Sequence, residues 1–317
     1  MLAPPLLVSY SSLEDYLEAL DPGLRRLHEN RVRRLVEQGL PPVVSSRCLA
    51  VLFGYSTKFV NAMSQQNWKY YRTFAIRQGK KKREIQAPKV ALKVIQKWFG
   101  HHLASAISFD DYVFGFIPGK SAPEAAKQHA NARWVYSVDI NNFFPSTPKT
   151  IVETSLIELG YSDRAAKLMA GLLCHRESLA QGSPASPVLS NIVLKELDVH
   201  LKAIADNYQI RFTRYADDIV FSGIEQFPKN IKEQVNGLFE QTCWNLSKEK
   251  EYFSEIPKRL KVHGLLVHGD KPRLTKGYRN RIRAYKHLLD TGQIKEKDLK
   301  RVMGHLKYAE SIDDQKE

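Results

Sequence analysis

Arg214-Tyr215-Ala216-Asp217-Asp218-Ile219-Val220-Phe221 sets two adjacent carboxylates between two short apolar runs. Residues 210–216 and 219–222 are rich in β-branched and aromatic side chains, so they read as strands and the acidic pair as the tip of a hairpin. Neighbouring carboxylates on a rigid turn cost self-repulsion and desolvation, which a cation between them or against a third acid offsets. Asp110-Asp111 and Asp313-Asp314 lack strand-like flanks and read as solvated loop and tail charges.

A third acid ends its own apolar run in Tyr136-Ser137-Val138-Asp139-Ile140-Asn141-Asn142-Phe143-Phe144-Pro145-Ser146. Pairing the two elements brings Asp139 beside Asp217. Carboxylates and a backbone carbonyl suit Mg²⁺, and two such ions about 4 Å apart support an in-line displacement at phosphorus. The acids alone do not separate a polymerase from a nuclease. Between the two runs Leu189, Val193, Leu197, Leu201 and Ile204 recur at helical spacing and mark one buried face. Strands with helices on one face make the middle an α+β layer.

Outward from this centre the chain is basic. Its 317 residues carry 48 Lys and Arg against 34 Asp and Glu, a net charge of +14, which is the footprint of a nucleic-acid binder. Residues 258–307 hold fifteen of the cations and four acids. A second block, Arg72, Arg77, Lys80, Lys81, Lys82 and Arg83, lies in an alternating segment over residues 71–87 that reads as a basic hairpin turning at Gly79-Lys80. The two blocks flank a more acidic middle, as walls facing phosphate would.

The rest is scaffold. Residues 24–40 carry helical periodicity, residues 45–63 read as two short helices broken at Gly54, and residues 90–103 as another helix. Residues 262–267 read as a short strand before two basic helices. Cys48, Cys174 and Cys243 are far apart with no Cys-x-x-Cys, which excludes a zinc ribbon and predicts buried thiols. Gly115 to Lys120 falls one residue short of a phosphate-cradling loop, and Pro118 removes an N–H such a loop uses. With no long apolar run and no basic start to the N-terminus, the chain reads as cytoplasmic, without a membrane partner.

Tyr215-Ala216-Asp217-Asp218, preceded by Asp139-Ile140-Asn141-Asn142-Phe143-Phe144 and by Gln181-Gly182-Ser183-Pro184-Ala185-Ser186-Pro187, resembles the palm of a reverse transcriptase. The resemblance implies a right-hand polymerase fold: an N-terminal helical region over 1–70, fingers over 71–133, palm over 134–256 and a basic thumb over 257–317. It implies that Asp139 and Asp217 hold two Mg²⁺ ions with the Ile140 carbonyl, and that Asp218 is the neighbouring acid of the set. By the same likeness Phe144 is a steric gate favouring dNTPs, Gln181 lines the incoming nucleotide, and Arg83 grips the triphosphate with help from Lys81 or Lys82. Lys250, with Lys248 the alternative, falls at the family's palm lysine. Arg279, Arg281, Arg283 and Lys286 fall on the thumb helix that meets nucleic acid.

In size and charge the chain is similar to the retron-type enzymes of bacteria. That likeness implies a structured non-coding RNA as template and primer, a branched RNA-linked single-stranded DNA product, and anti-phage defence beside an effector protein. Phe114-Gly115-Phe116-Ile117-Pro118-Gly119-Lys120-Ser121 is similar to the loop that precedes the catalytic strand in such enzymes. Two hallmarks differ. Where the family carries Asn-Ala-x-x-His, this chain has Ala125-Ala126-Lys127-Gln128-His129, and where it carries Val-Thr-Gly, Val262-His263-Gly264. Another defence-associated or intron-like reverse transcriptase, or an RNA-binding scaffold for a toxin-like effector, are the alternatives.

Overall fold

A computed structural model of the chain describes residues 4–78 and 81–313. They fall into two units, each assembled from distant segments: Met1–Asp110 with Ile140–Asp198 and Phe239–Asn245, and Asp111–Asp139 with Val199–Leu238 and Leu246–Glu317. Gly79, Lys80 and the Lys81 and Lys82 side chains lie outside the described residues, as does Asp314.

The first unit is mainly helical, and its helices start where short polar side chains cap them. The Asp21 carboxylate accepts from the N–H groups of Gly23 and Leu24 at the head of Pro22–Glu37. Ser45 and Ser56 do the same for Ser46–Phe53 and Thr57–Gln65. Gly54, with φ at 65°, ends the earlier of that pair as its left-handed cap, so the break falls where the sequence suggests. Tyr71–Gln78 and Lys81–Pro88 pair antiparallel, with Ile76 opposite Arg83 and Phe74 opposite Ile85. Helix Val90–Ala106 follows, and from it the fully buried Gln96 donates to the Tyr71 hydroxyl (2.7 Å) and the Leu172 carbonyl (2.8 Å) while accepting from Ser183 Oγ (2.8 Å).

The second unit is built on a four-stranded antiparallel sheet in the order Arg211–Tyr215, Asp218–Gly223, Trp134–Asp139, Tyr252–Glu255. Side chains alternate between its faces. On one face Trp134, Tyr136 and Phe221 meet Phe227 and Phe253 in an aromatic layer, with ring centroids 4.4–6.2 Å apart. On the other, Val135 and Val220 join a core with Val262, Leu265, Ile282, Val302 and Leu306. Burying each of these side chains contributes about 1.5–3 kcal/mol. The basic helix Lys276–Asp290 joins that core through Tyr278, Ile282 and Tyr285, a spacing of four and three that makes one stripe.

Three expectations change. The apolar stripe from Leu189 to Ile204 belongs to two helices, Ser186–Val193 and Lys195–Asn207, because the periodicity runs on through a break at Leu194. Residues 262–267 form a hairpin instead of one strand: Lys261–Val262 and Leu265–Leu266 pair back to back around His263-Gly264. Of the three free thiols, Cys48 and Cys174 are buried but Cys243 is only half-buried.

Candidate active site

Tyr215 pairs with Asp218, which leaves Ala216-Asp217 as a two-residue tip. Ala216 takes a positive φ of 57°, the backbone a tight hairpin with right-handed twist requires. The tip is held from inside its own strand by Arg214, fully buried, whose Nη1 donates to the Ala216 carbonyl at 3.0 Å. It is held from outside by the preceding loop: Phe114 N–H donates to the Arg214 carbonyl (2.8 Å) and Arg214 N–H to the Tyr112 carbonyl (2.9 Å). That contact brings Gly115 against the turn. The Gly115 loop is therefore a brace for the acidic tip. Sequence reasoning missed Arg214 because an arginine beside an exposed turn looks like a solvated flank.

Asp139 stands opposite Asp218 in the ladder. Alternation puts both on the sheet face that carries Val135 and Val220. The ladder partner is Asp218, and Asp217 is beside Asp139 as expected, close enough for its charge to act on that carboxyl. Burial holds the Asp139 carboxyl above the ordinary carboxylate range; a hydrogen bond from Lys250 lowers it, and the charges of Asp217 and Asp218 raise it again.

Lys250 Nζ donates to Asp139 Oδ1. The backbone delivers it there: Ser247 N–H donates to the Asp139 carbonyl (2.8 Å), and Lys250 N–H closes a turn onto the Ser247 carbonyl (3.1 Å). Lys248, the alternative, is exposed like Lys250, and the contact with Asp139 is made by Lys250. His263 Nδ1 lies 3.1 Å from Asp218 Oδ2, a neighbour the sequence did not announce. Among the described residues no three His, Cys, Asp or Glu side chains form a ready metal cage.

The other expected residues belong to the first unit and are placed within it. Phe143 is core, near Trp244, while Phe144 stacks on it with centroids 5.6 Å apart and stays half-buried. The Gln181 loop is sewn to the basic hairpin: Gln86 N–H donates to the Gln181 carbonyl (2.9 Å), and Gln181 N–H to Gln86 Oε1 (3.1 Å). Gly182 must be glycine, since its φ is 131° and a Cβ would sit 2.8 Å from the Gln86 carbonyl oxygen. Arg83 is exposed on the same hairpin. Ile140, next after Asp139, has a fully buried side chain.

Arg279, Arg281, Arg283 and Lys286 are all exposed on Lys276–Asp290. Spacing puts Arg279, Arg283 and Lys286 in one stripe, with Arg281 apart and its guanidinium 5.9 Å from the Tyr278 ring centre. His129 is fully buried: its ring nitrogens meet Ser222 Oγ and Thr213 Oγ1, each at 2.7 Å, and burial pulls its pKa down to about 3.

Comparison with known proteins resolves what the acids alone leave open. The family described as reverse transcriptase (RNA-dependent DNA polymerase) matches residues 76–275. The chain belongs to the reverse transcriptase family. This reverse transcriptase is 27% identical to the retron Ec86 reverse transcriptase of Escherichia coli over 249 residues, 77% of each chain. It is 32% identical to the retron Mx65 reverse transcriptase of Myxococcus xanthus over 213 residues, 60% of this chain and 50% of that one. Such relatives make it a retron-type reverse transcriptase, an RNA-directed DNA polymerase on an α+β right-hand fold, in a family that uses divalent metal ions. Among solved structures, apo telomerase from Candida tropicalis truncated from its C-terminal domain aligns at a TM-score of 0.47 and 10% identity, covering 70% of this chain and 61% of that one. No helix among the described residues is long and apolar enough to cross a membrane.

Proposed function

We propose that this reverse transcriptase copies a bound, structured non-coding RNA into single-stranded DNA in the cytoplasm, using that RNA as both template and primer. The observation that carries the reading is the register of Asp139 opposite Asp218 with Lys250 on the Asp139 carboxylate. Hard oxygen donors fit Mg²⁺, which takes one or two carboxylates and fills its shell with water and substrate phosphates. Asp139, Asp217 and the Ile140 carbonyl would hold two such ions, with Asp218 adding charge beside them. When bound, the ions supply an activated attacking hydroxyl and a stabilised pyrophosphate.

The chain's own groups do the rest. Lys250 Nζ carries the proton for the departing pyrophosphate. Arg83 offers a planar fork to the triphosphate of the dNTP, assisted by Lys81 or Lys82. Phe144 lies beneath the sugar and leaves no room for a 2′-OH. Gln181 lines the nucleotide, and Arg279, Arg281, Arg283 and Lys286 hold phosphates of the template and product. The product is a branched RNA-linked DNA, and the system serves anti-phage defence with an effector protein.

Purified protein with its copurifying RNA, Mg²⁺ and dNTPs is expected to make DNA, and Asp217→Asn to abolish synthesis while RNA binding persists. Full activity in Asp217→Asn removes the assignment. Sequencing the copurifying nucleic acid tests the product: a branched RNA–DNA species supports it, and unbranched DNA or RNA alone counts against it.

A further inference from the structure

His263 has no part in the chemistry above, yet three independent features converge on it. With Gly264 it forms the whole turn between Lys261–Val262 and Leu265–Leu266, and both residues have positive φ, 49° and 83°. Positive φ is uncommon for any residue but glycine, with asparagine, aspartate and histidine the side chains that tolerate it best. An unfavourable local conformation persists where the surroundings require the side chain. Those surroundings are specific. The His263 side chain is only 7% exposed, its Nδ1 is 3.1 Å from Asp218 Oδ2, and its ring centre is 5.2 Å from that of Tyr215. Tyr215 and Asp218 are the cross-strand pair that closes the acidic tip. An ionised carboxylate only accepts, so Nδ1 is the atom of this contact able to carry a hydrogen. Among the described residues Nε2 is buried without a hydrogen-bond partner, so the polar contact the ring does make is the one to Asp218.

The platform beneath His263 is firm. Val262 and Leu265, on either side of the turn, belong to one core with Val135 and Val220 of the catalytic sheet and with Ile282 of the basic helix.

We propose that His263 is a positioning residue for polymerisation: its Nδ1–H fixes the Asp218 carboxylate, and with it the strand end that carries Asp217, to the hairpin leading into the basic helix. The inference rests on the assignment of the acidic tip as the polymerase site. The His263 ring is largely buried and acts through Asp218, so its removal slows turnover and leaves binding alone.

The test uses the full chain with its RNA and three variants. His263→Gly removes the ring and suits the turn backbone, so the fold is kept; His263→Ala removes it under strain; His263→Asn keeps an N–H near Nδ1 and accepts positive φ. Expected is a fall in kcat per active site of about 10- to 100-fold in both Gly and Ala, as when an outer partner that orients a metal site is lost. RNA affinity and KM for dNTP should stay unchanged, and Asn should restore most of the rate. A wild-type kcat in the Gly variant overturns the proposal, as does an Asn variant as slow as Gly, or a loss carried by RNA affinity or KM. Asp217→Asn run alongside separates the two readings: activity retained there removes the site assignment itself, whereas activity lost there with His263→Gly at full rate removes only the role of His263.

Discussion

Gly115 lies against Ala216 so closely that a Cβ on it would stand 2.9 Å from the Ala216 Cα and closer still to its nitrogen. The neighbour is backbone and belongs to the acidic tip, so neither side gives way cheaply. Gly115→Ala is therefore expected to cost about 1–3 kcal/mol of stability by overpacking and to lower DNA synthesis by displacing Asp217. Urea unfolding together with steady-state kinetics checks it; wild-type values in both show that the loop yields.

Lys250 and Lys248 differ in reach, since only Lys250 touches Asp139. If its ammonium protonates the leaving pyrophosphate, Lys250→Met lowers kcat by about 10²-fold or more, and Lys248→Met leaves it near wild type. Single-turnover nucleotide incorporation reads both, and the reverse order assigns the role to Lys248.

Phe144 is half-buried on the Phe143 ring, which is itself core. Phe144→Val should keep the fold and admit a 2′-OH, raising ribonucleotide incorporation relative to dNTP. Competition between a dNTP and its ribonucleotide on one template measures the ratio; unchanged sugar selectivity counts against the gate.

His129 makes stability depend on pH. Its folded pKa of about 3 lies below the ordinary 6.5 because the imidazole is buried between Ser222 and Thr213. Above pH 6.5 neither state holds the proton and the neutral bridge contributes in full. As pH falls through the window from 6.5 toward 3, the unfolded chain takes a proton the folded one refuses, and stability drops by about 1.4 kcal/mol per unit from this group. Urea unfolding at about pH 5 and about pH 7 should show a slope that His129→Gln reduces by that amount. An equal slope in the variant places the titration elsewhere.

The stripe Arg279, Arg283 and Lys286 should contact phosphates together. Each alanine substitution there is expected to reduce the slope of log affinity against log salt by about 0.7–0.9. Arg281→Ala, off the stripe and against Tyr278, should change it less. Filter binding across a salt series decides, and equal slopes for all variants show that the stripe faces solvent.

Much of this is legible in the sequence alone. The Asp217-Asp218 tip showed because acids interrupting two β-branched runs leave few alternatives, and the helix breaks showed because Ser45, Ser56 and Gly54 are local signals. What stayed hidden depended on neighbours distant in sequence. The edge strand Tyr252–Glu255 is four residues long amid charges and has no periodicity of its own. The turn at His263-Gly264 is hidden because its two residues sit inside an otherwise apolar run, Val262 to Val267, that reads as one strand. That Asp139 comes beside Asp217 follows from pairing the two segments, but its ladder partner Asp218 does not, since register is set by the whole sheet. The roles of Arg83 and Gln181 come from resemblance alone; what only the structure shows is that Gln86 joins the Gln181 loop to the hairpin that carries Arg83.

Gln96 ties the root of the basic hairpin, at Tyr71, to the loop behind Gln181, at Ser183, through a single buried amide. Anyone exchanging either segment with a homologue to alter template or nucleotide preference is therefore transplanting half of a joint. Chimeras that carry the hairpin, position 96 and the Ser183 loop as one cassette should fold where piecemeal swaps leave a polar group stranded in the interior.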